Sequence, residues 1–133
     1  MAHGVAEIGF RDDAGETRLA HLFHSDPLRF VFPNRRRGDI AGGALVTTSG
    51  GLVGGDRIDI SIEAQRGAQA QLFGQAAEKV YRSAGVDTEI AVHLAVGPGG
   101  WLEWLPQETI LFDGARLRRL TSANVAPGAR LLA

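Results

Sequence analysis

The sequence predicts a mainly β fold of stacked strand–turn–strand units, β-helical or solenoid-like, carrying one or two short helices. Three observations lead there. A pattern of alternating apolar residues recurs around Gly67, Gly99 and Gly128. Eighteen glycines stand among 133 residues, nearly twice the roughly 7% of average usage, and glycine suits turns with positive φ better than helix interiors. Apolar residues make up 44% of the chain and charged residues 22%, the balance of a chain that buries a core. At this length one domain, residues 1–133, is expected.

Taken in order, the stretch to about Asp26 shows no clear period, and Val5, Ile8 and Phe10 suggest one short strand there. Leu28–Phe32 reads as a strand stopped by Pro33, since proline cannot donate to a ladder. Asn34–Asp39, with Arg35, Arg36 and Arg37, is a basic turn of the kind that stays solvated. Ala44–Thr48 is a further strand. The segment Ser49-Gly50-Gly51-Leu52-Val53-Gly54-Gly55-Asp56 reads as a tight double bend with Asp56 bonding local amides. It lacks the Gly-Lys-Ser/Thr ending of a phosphate loop, and a strand rather than a helix follows it.

The repeat begins beyond that bend. Gly67, Gly99 and Gly128 are 32 and 29 residues apart. Ile58, Ile60, Ile62 and Ala64 precede the first; Ile90, Val92, Leu94 and Val96 hold the same offsets before the second. Arg119, Thr121, Ala123 and Val125 precede the third, a weaker match. Ala68, Ala70 and Leu72 follow the first glycine, and Gly100, Leu102 and Trp104 the second. Ala129, Leu131 and Ala133 follow the third. Alternation broken at glycine is a strand–turn–strand unit. Each unit has a narrow apolar face that it cannot bury alone, so neighbours must stack, although a conventional sandwich would satisfy the same alternation. Gln75–Arg82 is dense in helix formers, with Glu78 and Arg82 as an i,i+4 pair, and predicts a helix of one or two turns.

Chemistry is narrowed mostly by exclusion. A formal charge of −1 gives no global bias towards nucleic acid or an anionic membrane. With no cysteine, thiolate metal sites, disulfides and thiol nucleophiles are impossible, which fits a reducing cytoplasm. His21, His24 and Asp26 could meet a cation only if their loop curls, and His93 falls on the polar side of its strand. Glu103, Glu108 and Asp113 lie in the apolar stretch Trp101–Gly114, where raised pKa values would suit general acids. Structural carboxylates bonding turn amides or Arg116, Arg118 and Arg119 answer to the same pattern. No nucleophile–base pair accompanies them. Trp101, Trp104, Leu105, Ile110, Leu111 and Phe112 serve either a core or a partner-binding patch.

Three blocks, Ser49–Asp56, Gln75-Ala76-Ala77-Glu78-Lys79-Val80-Tyr81-Arg82-Ser83 and Trp101-Leu102-Glu103-Trp104-Leu105-Pro106-Gln107-Glu108-Thr109-Ile110-Leu111-Phe112-Asp113-Gly114-Ala115, resemble in order and spacing the urease accessory protein UreD (UreH) family. The likeness runs from about residue 27 to the end. It implies a β-helical, non-enzymatic maturation factor in the cytoplasm that helps nickel reach the urease active site. Its implied partners are the urease apoprotein, UreF and UreG, with UreE as indirect nickel donor, and neither nucleic acid nor membrane. Nickel is then transient cargo and no cofactor is tightly bound. The resemblance makes Asp56, Glu78, Lys79, Tyr81, Arg82, Glu103, Glu108 and Asp113 candidates for a nickel path or for partner contacts. Since members of that family are about twice as long, the chain reads as the N-terminal half of such a protein. The alternatives are a β-solenoid hydrolase pairing Glu103 with Glu108 or Asp113, and a metal-independent interaction module.

Overall fold

The computed structural model describes residues 1–36 and 38–133, so Arg37 of the basic turn lies outside the described residues. Twelve strands run in order: β1 (His3–Asp13), β2 (Glu16–His24), β3 (Leu28–Val31), β4 (Ala41–Thr47), β5 (Arg57–Ala64), β6 (Gln69–Gly74), β7 (Glu78–Val80), β8 (Thr88–Val96), β9 (Trp101–Leu105), β10 (Thr109–Leu111), β11 (Leu117–Val125) and β12 (Arg130–Leu132). They form a five-stranded sheet β11-β8-β5-β1-β2, a second β12-β9-β6-β4-β3, and a two-stranded sheet β10-β7. The architecture is mainly β, in mixed sheets.

The repeat is visible strand by strand. Each unit contributes one strand to the first sheet, turns at its glycine and contributes the next strand to the second. Pairing between units is parallel: Ile58↔Ile90, Ile60↔Val92, Ile62↔Leu94 and Ala64↔Val96 are register partners. So are Arg119↔Ile90 and Thr121↔Val92, and Ala70↔Leu102 and Leu72↔Trp104. The offsets read from the sequence are therefore the offsets of the ladder. Gly67, Gly99 and Gly128 have φ of 72°, 69° and 76°, the left-handed region that glycine enters without a Cβ penalty. Backbone bonds link one turn to the next: Gly97 N–H donates to the Ala64 carbonyl at 2.7 Å, and Ala126 N–H to that of Val96 at 3.0 Å. Between the sheets lies the core, built on Ile8, Phe10, Ile58, Ile60, Ile62, Leu72, Ile90, Val92, Leu94, Leu102 and Trp104. Each such side chain contributes about 1.5–3 kcal/mol when fully removed from water.

Two expectations require correction. The opening stretch holds a long antiparallel hairpin, β1 with β2, closed by Ala14-Gly15 with φ of 53° and 87°. Positive φ at both central residues matches the right-handed twist of the flanking strands. Gly4 and Ala6 occupy inward positions of β1 beside Ile8 and Phe10, and their small size hid the alternation. The helix expected over Gln75–Arg82 is absent, and among the described residues there is none at all. Eight residues cannot repay helix nucleation without a packed face. Instead β7 pairs in parallel with β10, Glu78 facing Thr109 and Val80 facing Leu111. Val80 is fully buried and bridges to Leu52, whose N–H donates to the Lys79 carbonyl at 2.8 Å.

Candidate functional site

A cavity of about 580 Å³ opens between the sheets at the level of β7 and β10. Its floor is apolar, from Ile58, Ile60, Ile90 and Val92 of one sheet and Trp104 of the other. Its polar wall is assembled by four different strands: Thr47 ending β4, Glu78 opening β7, Thr109 opening β10, and Arg119 with Thr121 on β11. The Ser49–Leu52 bend and Lys79 border it as well.

Glu78 is the carboxylate of this wall. It is half-buried, and the Thr47 hydroxyl donates to its Oε2 at 2.8 Å. Burial pushes its pKa up, and the Thr47 bond and the charge of Arg119 pull it partly back. Arg119 in turn donates from Nη2 to Thr109 Oγ1. A group protonated more readily in the folded than in the unfolded state loses stability as pH rises from its unfolded value to its folded one. Glu78→Gln removes that loss and keeps an acceptor for Thr47. The variant is therefore expected to gain thermal stability over the parent at pH 7.5 and to gain little at pH 4. Melting curves at both pH values check this, and an equal difference at the two would contradict it.

The other candidates divide. Asp56 is only 6% exposed and is structural: Oδ2 accepts from Val53 N–H at 2.9 Å and Oδ1 from Ala2 N–H at 2.7 Å. It thus closes the double bend, as its position in the sequence suggests, and also ties down the N-terminus. Tyr81 donates its hydroxyl to the Gly50 carbonyl at 2.9 Å and meets Phe112 edge-on, ring centroids 4.9 Å apart. It braces the bend that borders the cavity. Lys79 is exposed on β7, and Arg82 is exposed and lies against Gly114. Half-buried Glu103 accepts from Gln71 Nε2 at 3.2 Å, while Glu108 is exposed in the link between β9 and β10 and Asp113 is exposed in a turn. None of these last three carboxylates borders the cavity with Glu78, so the pairing that a hydrolase would need is not assembled there.

The histidines are engaged elsewhere. His21 Nε2 lies 2.9 Å from Glu7 Oε1, His24 Nδ1 accepts from Phe30 N–H, and exposed His93 bonds Ser122. Among the described residues no three His, Asp or Glu side chains gather to hold a metal. Trp104 is core, whereas Trp101, Ile110, Leu111 and Phe112 are exposed. No helix among the described residues is long and apolar enough to cross a membrane.

Sequence reasoning missed Thr47, Thr109, Arg119 and Thr121. The signal for two of them was the weak third repeat. Arg119 and Thr121 hold positions filled by Ile58 and Ile60 in the first unit and by Ile90 and Val92 in the second. A polar residue at an inward position marks where the core gives way to a polar lining.

The model of the family described as UreD urease accessory protein matches residues 2–133. Urease accessory protein UreD of Magnetococcus marinus is 50% identical over 130 residues, which are 98% of this chain and 45% of that one. The UreD of Chelativorans sp. is 41% identical over 132 residues, 99% of this chain and 47% of its own length. That of Granulibacter bethesdensis is 57% identical over 90 residues, 68% of this chain and 38% of its own. The chain spans a little under half the length of the first two of these curated relatives. On the strength of a match running from residue 2 to residue 133, the chain belongs to the UreD urease accessory protein family.

Proposed function

We propose that this chain serves urease maturation by binding rather than catalysis, helping nickel reach the urease apoprotein in company with UreF and UreG, with UreE as the indirect donor. Family membership carries the reading. The cavity between the sheets supports it, because a half-buried carboxylate flanked by hydroxyls could pass a hard or borderline cation without holding it. On this reading nickel is cargo, and a chain without cysteine suits both weak ligation and the reducing cytoplasm. The parallel stacking of β5–β6, β8–β9 and β11–β12 supports a β-helical reading of this part of the chain. Glu78 and Lys79 belong to the cargo path. Exposed Trp101, Ile110, Leu111 and Phe112 offer apolar anchors for a protein partner.

A chimera tests this. A full-length UreD whose matching segment is replaced by these 133 residues is supplied to cells that make urease and its other accessory proteins but no UreD. Urease activity and the nickel content of purified urease are expected to rise together. Soluble chimera with urease left nickel-free would overturn the proposal.

A further inference from the structure

A second cleft, of about 360 Å³, lies between the tip of the β1–β2 hairpin and the link from β3 to β4, and reaches Gln69 of β6. No residue of the β11–β12 layer lines it. Ala41 borders this cleft and Thr47 the cavity, at opposite ends of β4. At the rise of an extended strand the two sites are about 20 Å apart. Both walls of the cleft are tied down. Thr17 Oγ1 accepts from Gln69 N–H at 3.0 Å, which fixes the hairpin to the start of β6. The link closes on itself: Arg36 N–H donates to Asp39 Oδ2 at 2.8 Å, and Asp39 N–H donates to the Arg36 carbonyl at 3.0 Å. Arg35 and Arg36 border the cleft from this turn. The carboxylates on the same lining are already engaged, Glu16 by Arg18 at 3.1 Å and Asp39 by the Arg36 amide. Among the described residues neither Arg35 nor Arg36 has an ion-pair partner, whereas Arg18, Arg57 and Arg116 each have one.

We infer that this cleft is a docking site for an acidic segment of a partner protein, recognised by Arg35 and Arg36. The planar fork of a guanidinium matches a carboxylate through paired N–H···O bonds, and two such forks here face a cleft whose own acids are spoken for. A free phosphate fits less well. Phosphate sites draw on clustered backbone N–H groups, and this turn spends those of Arg36 and Asp39 on its own closure. The volume, at the low end for ligand sites, takes a few side chains of a bound segment. Thr17 uses its hydroxyl oxygen as an acceptor for Gln69, so its own proton remains for one of the incoming carboxylates. A partner seated here leaves the cavity at the far end of β4 open, and the inference stands apart from the cargo path. The attraction is between charges near the surface, so it weakens with salt.

Fluorescence anisotropy of the 133-residue chain with a fluorescein-labelled hexaglutamate peptide tests this at low salt, with hexaglutamine as the uncharged counterpart. The Arg35→Gln/Arg36→Gln pair is compared with Arg29→Gln/Arg118→Gln, and each is checked for folding by circular dichroism. Arg29 and Arg118 are exposed, border neither site and carry no ion pair among the described residues, so the control removes the same charge elsewhere. Hexaglutamate is expected to bind the parent, and the cleft pair to weaken it about tenfold, the scale of losing two partly exposed ion pairs. The control pair should stay within about twofold, hexaglutamine should bind no better than hexaglutamate binds the cleft pair, and about 0.5 M salt should remove most of the difference. Equal weakening by the two pairs would reduce the effect to net charge and overturn the inference. So would displacement of the label by inorganic phosphate or pyrophosphate as readily as by unlabelled hexaglutamate, which would mark a small-anion site instead. Failure of the parent to bind hexaglutamate at low salt would overturn it outright, with the cargo path untouched.

Discussion

Leu72→Ala is expected to lower the free energy of unfolding by about 3–5 kcal/mol, a third or more of what a domain of this size usually has. Leu72 lies in β6, has no exposed surface and belongs to the central cluster. Its register partners are Gly43 in β4 and Trp104 in β9. One of these has no side chain to move into the vacated space, and the other is held by a large ring. Both flanking strands are fixed in parallel ladders, so the sheet cannot close over the hole. Little collapse means a cost near the upper end of the leucine-to-alanine range. Leu120→Ala is the matched control. Leu120 is 63% exposed on β11, and its loss should stay within about 0.5 kcal/mol. Urea denaturation with a common slope measures both. Similar shifts for the two would mean that the core is not where the parallel ladders put it.

Register was legible because three glycines at left-handed turns set the phase of three alternating segments, and one inward face repeats in each. Where inward residues are large, as with Ile58, Ile60 and Ile62, a period of two stands out. Where they are Gly4 and Ala6, it does not, and β1–β2 went unread. The segment Gln75–Arg82 misled for a different reason. Local propensity favours a helix there, but Val80 gains more by burial against Leu52, and Glu78 N–H finds the Glu108 carbonyl at 3.1 Å. Tertiary pairing overrides a weak local preference over so few residues. The site was half legible. Glu78 and Lys79 lie in a block with a recognisable pattern, whereas Thr47, Thr109 and Arg119 come from strands up to 72 residues apart in sequence. Only the fold brings them to one wall. Asp56 was legible as a bend residue and proved to be one.

The glycine excess, read from sequence as a matter of turns, has a second cause that gives the other large effect. Gly42 and Gly43 lie inside β4 rather than in the double bend that follows it. Neither has a positive φ, so conformational freedom does not explain them. A methyl group on Gly42 would run into the Gln71 carbonyl oxygen of β6, with the carbonyl carbon at 2.8 Å and the amide nitrogen at 3.2 Å. Those are backbone atoms, and they cannot rotate away. β4 is bonded to β3 on one side and β6 on the other, and β6 to β9 beyond, so relief requires shearing β4 from β6. Gly42→Ala is therefore expected to destabilise by about 3 kcal/mol or more, beyond the usual range for a single added methylene in a core. Gly67→Ala supplies the contrast. There φ is 72° and the nearest atom to a new methyl is Asp12 Oδ2 at 3.4 Å, so only left-handed strain applies, about 1–2 kcal/mol. Thermal melts of the two variants rank them, and hydrogen exchange locates the damage. Loss of protection confined to β4 and β6 in Gly42→Ala is the expected pattern. A Gly67→Ala variant as damaging as Gly42→Ala would return the whole excess to the turns, and the close approach of β4 to β6 would lose its claim on the sequence.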